Sequence, residues 1–171
     1  MREFAAWLAG TDFSQTIASS LWMIPVIQSV HILTFGVLIG ALLMVDLRIL
    51  GFIAKDQSLV TVTRRFAPWI WGCIVVLATT GLLLIVGEPA RELLSVSFWV
   101  KMSLLAVGLI IAAAFQIHVR NNEVKWAETE TVEPVTKFFA VISFFIWLGI
   151  IAMGRLIAWD AEIWGSLSSQ A

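Results

Sequence analysis

The 171 residues are 60% hydrophobic and 13% charged, with a mean hydropathy of +0.93, well beyond the roughly 45–50% apolar share of soluble domains. A net charge of −1 leaves no electrostatic footprint for nucleic acid or another polyanion. The lone cysteine, Cys73, sits in an apolar run and excludes a disulfide framework or a multi-cysteine metal site.

Taken in chain order, Met1 to Ser20 carries Arg2, Glu3 and Asp12 and lacks the continuous apolar core of a signal peptide, so it is expected to belong to the mature protein. Phe4, Trp7, Leu8 and Phe13 among polar neighbours suit a short interfacial helix, and an unstructured lead-in fits them equally. Four apolar runs follow, at about 21–45, 66–87, 98–119 and 138–159. Each has the length of about 20 residues that a helix needs to cross a ~30 Å hydrocarbon core. Helices are required because a backbone in lipid must satisfy its hydrogen bonds within the segment. Pro25, Pro68 and Pro134 are placed at or just before helix starts, where a missing amide costs least. Polar tracts such as Asn121-Asn122-Glu123 and Glu128-Thr129-Glu130 read as connections. The expected fold is all-α: one integral membrane domain over 1–171, an antiparallel four-helix bundle.

The connection after the first span holds Arg48, Lys55, Arg64 and Arg65, and that before the fourth holds Arg120, Lys125 and Lys137, whereas the middle one holds only Arg91. The positive-inside rule then puts the first and third connections in the cytoplasm and both termini outside. Trp22, Trp99 and Trp159 fall at the outer interface and Trp69 and Trp126 near the inner one, as an aromatic belt requires.

Ionisable groups at membrane depth are costly and usually face the bundle interior, so each is a site candidate. At ~1.5 Å per residue, His31 lies roughly 14 Å below Trp22 and roughly 22 Å above Asp46, in the outer half of the first helix. Gln28, three residues earlier, shares its face and is a candidate to fix the imidazole tautomer, as a ligating histidine requires. The plainer alternative is a core histidine bonded to Gln28 or to another helix. Lys101, two residues past Trp99, and Arg155, four before Trp159, lie just below the outer interface on antiparallel helices. They either snorkel to the headgroups or point inward to an anionic group above His31. A haem, with iron at imidazole depth and propionates toward the cations, fits this order. His118 beside Arg120 belongs to the cytoplasmic end, something like 15 Å away in depth, so it reads as an interfacial residue or as the ligand of a separate cofactor. Trp147, near mid-depth, needs a partner for its N–H or a cofactor for its ring to flank, and simple packing is the alternative. Gly36 and Gly40 form a Gly-x-x-x-Gly step suited to close helix approach, on the side of the helix away from His31. Met23, Met44, Met102 and Met153 raise copper as an option but form no cluster on one helix.

Two stretches carry a family resemblance: His31 in a helix ending Asp46-Leu47-Arg48-Ile49-Leu50, and Phe98-Trp99-Val100-Lys101 opening a later one. Here the chain resembles the haem-binding membrane protoporphyrinogen oxidases of the HemJ type and the related CopD-like four-helix domains. The resemblance implies haem b at His31, with Arg48 and Lys101 as site residues. The chain has Leu47 where that pattern has proline, and Ile49-Leu50-Gly51-Phe52 lacks its following histidine. It resembles more closely an uncharacterised group of small bacterial membrane proteins sharing the histidine, the Asp-Leu-Arg and the Pro-Trp elements, here Pro68-Trp69, which implies no established activity. The sequence reading is therefore a haem b protein of the bacterial inner membrane, a component in electron transfer and a candidate membrane oxidoreductase component. Lipid, a homo-oligomer or membrane complex, and quinone are its candidate partners. His31 would ligate iron, Gln28 orient it, Lys101 and Arg155 hold propionates, and Arg48 and Trp147 complete the candidate set. The competing readings are a non-catalytic accessory subunit and a copper-handling membrane protein.

Overall fold

The computed structural model describes residues 1–122, 126 and 132–168. Glu123, Lys125 and the Glu128-Thr129-Glu130 tract lie outside them. Among the described residues the secondary structure is helical, with no strand. Two short helices, α1 (Arg2–Ala9) and α2 (Asp12–Ser19), precede α3 (Met23–Leu50) and α4 (Leu59–Gly87). Next come a single turn, α5 (Pro89–Leu93), the third long helix α6 (Val96–Asn121), and the fourth, α7 (Pro134–Leu156). A 3₁₀ turn at Ile157–Trp159 leads into α8 (Asp160–Trp164). The four long helices are long and apolar enough to cross a membrane.

Large apolar side chains point outward along all four: Ile32 and Leu33, Val75 and Leu82, Ile110, and Phe145 are all more than 60% exposed. In water such a surface would drive aggregation; against acyl chains it is the solvated face. The chain is a multi-pass membrane protein. With apolar solvent on the outside, helices gain little from burying leucine, and packing contacts and buried hydrogen bonds hold the bundle instead. The packing sits in layers. Leu38, Ala41, Leu42, Ile70, Cys73, Trp147 and Ile150 form the central one. Val45, Ile49, Leu59, Val60 and Val119 fill the end at the α3–α4 turn. Around the bundle, α4 packs on α3, α3 on α7 and α7 on α6, whereas α4 and α6 meet little; the Trp71 indole donates to Gln116 Oε1 at 2.8 Å across that seam.

Helix ends differ from the sequence expectation mainly around the α3–α4 turn. Gly51 ends α3 in the left-handed region (φ 80°), and the Phe52 amide bonds back to the Leu47 carbonyl at 2.9 Å, a Schellman-type stop that glycine permits. Only a short turn separates it from Ser58, whose hydroxyl caps α4 by accepting the Thr61 amide at 3.2 Å. Arg64 and Arg65 are therefore helical and not in the connection, and Pro68 lies inside α4, not at its start. Burial of Leu59, Val60 and Val62 stabilises the extra turns that charge alone had marked as loop. At the other end Pro25 does lie in the first turn of α3, and Pro134 is the first residue of α7.

The N-terminal segment forms two short helices, not an unstructured lead-in. The Ser14 hydroxyl donates to the Val86 carbonyl at 2.6 Å, and α2 crosses the end of α4 at Gly87. A Cβ there would meet Ile17 Cγ2 at 2.8 Å, so the approach needs glycine. The Asp160 carboxylate, 1% exposed, closes the start of α6. Its Oδ1 accepts the Ser95 hydroxyl and the Ser97 amide, each at 2.8 Å, and its Oδ2 accepts the Val96 amide at 3.0 Å and the Ser168 hydroxyl at 2.6 Å. A carboxylate at a helix N-terminus is favoured by the free amides and the helix dipole together.

Candidate functional site

At the end of the bundle that carries α5, the helices α3, α4, α5, α6 and α7 line a cavity of about 350 Å³. Gln28, His31, Lys101 and Arg155 all line it, so four residues singled out by sequence from three helices share one space. Arg91 and Glu92 from α5 complete its polar rim, and Ile32, Phe35, Leu84, Ile150 and Ile157 are among its apolar walls.

The histidine is held from α4. His31 Nδ1 lies 2.8 Å from Thr80 Oγ1. In turn, that hydroxyl lies 2.8 Å from the Val76 carbonyl and 3.3 Å from that of Leu77. A threonine has one hydrogen to donate; when it goes to the Val76 carbonyl, the lone pair left on Oγ1 accepts from Nδ1–H and the imidazole is the Nδ1-protonated tautomer. Nε2 is left as a basic nitrogen with no hydrogen bond among the described residues. This is the ring state that a metal-ligating histidine needs, with its other nitrogen anchored by a neighbouring acceptor. Thr80, not Gln28, supplies that anchor; Gln28 is half-buried on the cavity wall.

Above the imidazole the rim carries three cations, Arg91, Lys101 and Arg155, against the Glu92 carboxylate. Arg91 is paired with Glu88 at 2.7 Å. Burial pushes the Glu92 carboxyl above the ordinary glutamate range, opposed by the attraction of Lys101 and Arg91. Lys101 lies across α7 at Gly154, where a Cβ would stand 3.9 Å from Nζ. Arg155 is exposed and has no hydrogen bond or ion pair among the described residues. With Arg91 paired to Glu88, the rim keeps Lys101 and Arg155 against Glu92, an excess of one positive charge.

Residues 7–160 match the family described as Family of unknown function (DUF6644). The chain belongs to this family. No curated protein and no solved structure matches it. The DUF6644 match takes in every residue of the cavity and the apolar length of all four spans.

The other candidates lie elsewhere in this DUF6644 chain. Arg48, buried near the end of α3, donates from Nε to the Gln57 carbonyl at 2.8 Å, and helical rise puts it about 26 Å from His31. His118, exposed near the end of α6, meets the Trp126 ring edge-on at 5.9 Å between centroids. Counted from Lys101 it too is about 26 Å from the cavity level. Trp147 is buried behind the wall: its ring lies 6.2 Å from that of Phe35, and its Nε1 has no partner among the described residues. None of Met23, Met44, Met102 and Met153 lines the His31 cavity.

Thr80, Arg91 and Glu92 were not singled out from sequence. Thr79-Thr80-Gly81 was the available signal for the first, a polar interruption within an apolar span, where a hydroxyl must bond to its own helix or to a neighbour.

Proposed function

We propose that this protein binds haem b in the His31 cavity and carries electrons in the bacterial inner membrane, with quinone as its exchange partner. The observation that carries the reading is the hydrogen-bond accounting at Thr80, which leaves His31 Nε2 basic at the floor of a cavity whose rim is cationic. The donor set suits the group: an imidazole for iron, and Lys101 and Arg155 for carboxylates through charge-assisted bonds. Haem bound there would supply one-electron iron chemistry. The chain's own part is to hold the imidazole through Thr80, to neutralise the propionates, and to exclude water with Phe35, Leu84 and Ile150. The HemJ-type likeness at His31 and Phe98 to Lys101 supports the same reading.

The direct test is the absorption spectrum of protein purified from haem-sufficient cells. A Soret band is expected, and its absence would reject the cofactor. Lys101→Met and Arg155→Met should each weaken haem retention roughly 10-fold, the scale of one charge-assisted hydrogen bond. Each should also lower the reduction potential, since losing a nearby positive charge favours ferric iron. Unchanged retention and potential in both variants would place the carboxylates elsewhere.

A second reading, assembly into a homo-oligomer or a larger membrane complex, is favoured by the open strip on α3. A Cβ added at Gly36 or Gly40 meets nothing within 4 Å, which leaves that side of the helix free for another helix.

For orientation we propose that the α3–α4 turn faces the cytoplasm and that both termini face outward, on the strength of the lysine and arginine balance. Cysteines at the exposed positions Asp56 and Ser166, in a Cys73→Ala background, should react with an impermeant maleimide from opposite sides of the membrane. Labelling from one side only would refute the topology.

A further inference from the structure

The inner half of the bundle holds a carboxyl group that the haem reading does not use. Asp46 is 8% exposed and, with Ser143 of α7, lines a cavity of about 50 Å³ between α3, α4, α6 and α7. Thr63, Gln116, Thr136 and Ser143 are the other polar residues in its wall, and Asp46 is the one ionisable residue there among those described. Arg48 is turned to the Gln57 carbonyl. Arg64, His118, Arg120 and Lys137, the ionisable groups nearest in sequence on the facing helices, are exposed and do not line it.

A carboxyl group withdrawn from water inside a membrane persists in one of two ways: paired with a cation or neutralised by a proton. The walls supply no cation. They do supply the hydrogen bonds that a neutral acid needs, because Thr63, itself 5% exposed, has a hydroxyl oxygen with no partner among the described residues. A protonated carboxyl has one O–H to donate as well as oxygens that accept. The Ser143 hydroxyl in the same wall is a donor for the accepting side, and Thr63 Oγ1 offers an acceptor across a cavity roomy enough for an ordered water, which needs roughly 10–15 Å³ of such space.

We propose that Asp46 is an exchangeable proton-binding site, taking up and releasing one proton through this cavity toward the end of the bundle that carries the α3–α4 turn. The step is the protonation of a carboxylate to a carboxylic acid, with no change in oxidation state. It stands whether or not His31 binds a cofactor, being about 22 Å away along α3.

Infrared difference spectroscopy of the whole protein in lipid vesicles, stepped between mildly acid and alkaline pH, tests this directly. The expected result is a protonated-carboxyl C=O band, sensitive to deuterium exchange, that grows as pH falls and is missing in Asp46→Asn. Ser143→Ala should retain the band but shift its frequency, which provides a reading even if Asp46→Asn fails to fold. The proposal is overturned if no such band occurs, if the band persists in folded Asp46→Asn, or if its amplitude does not change with pH. It is equally overturned if sodium at constant pH removes the band, since the site would then be occupied by a metal cation.

Discussion

His31→Ala is expected to abolish the Soret band or convert the iron to a different spin state, while His118→Ala leaves that spectrum largely intact. The distinction follows from position. His31 lines one cavity with Lys101, whereas His118 lies near the far end of the helix that carries Lys101, about 26 Å along it. Two axial ligands of one iron in one subunit must lie on either side of it, and this separation forbids that. Thr80 gives the graded counterpart. Thr80→Val keeps the side-chain shape but removes the acceptor for Nδ1–H, and haem affinity should fall about 10- to 100-fold, the usual effect of losing a ligand's outer hydrogen bond. Thr80→Ser keeps the hydroxyl and should recover most of it. Loss of one low-spin haem in both histidine variants would preserve the cofactor and disprove the separation. Equal retention in Thr80→Val and the wild type would remove the tautomer argument.

The largest effect on stability is expected at Asp160. Replacing it with alanine removes the acceptor that the Ser95 and Ser168 hydroxyls and the Val96 and Ser97 amides now share. A buried donor without its acceptor costs about 1–3 kcal/mol, and with partial relaxation the total should be on the order of 4 kcal/mol. Asp160→Asn should recover little, because its NH₂ group would face donors. Unfolding of lipid–detergent micelles by an anionic detergent, followed by helical circular dichroism, measures the loss; a midpoint unchanged in Asp160→Ala would show that the carboxylate is dispensable. Trp164, whose indole donates to Ser97 Oγ at 2.9 Å, belongs to the same junction, and its removal should cost less because only one neutral bond is lost.

The spans were legible because hydropathy reports directly on the solvent that a helix meets. His31, Lys101 and Arg155 stood out for the same reason: a charge or imidazole is conspicuous in an apolar run, and all three line one cavity. Thr80 was not conspicuous. A threonine satisfies itself on its own helix, so its second bond, to His31, depends on which helix lies opposite, and that is a tertiary fact. The start of α4 was misplaced because Arg64 and Arg65 resemble a loop when charge is the criterion; what makes them helical is the burial of Leu59, Val60 and Val62 one turn earlier, next to the α3–α4 turn. Glu92 and Arg91 lay in a connection that sequence treats as solvent, whereas α5 folds them over the mouth of the cavity.

The attachment of Asp160 to the start of α6 also constrains the order in which the chain is built. The amides of Val96 and Ser97 lie in the third span, but the group that satisfies them is encoded beyond the end of the fourth. While the ribosome is still making α7, the start of α6 carries its own Ser95 cap but not yet the Asp160 carboxylate. A three-helix nascent chain therefore leaves the Val96 and Ser97 amides to water until Asp160 has folded back onto them. Synthesis arrested ahead of Asp160 should yield a species that protease reaches at the α5–α6 junction, and a chain released just beyond Ser168 should be resistant there.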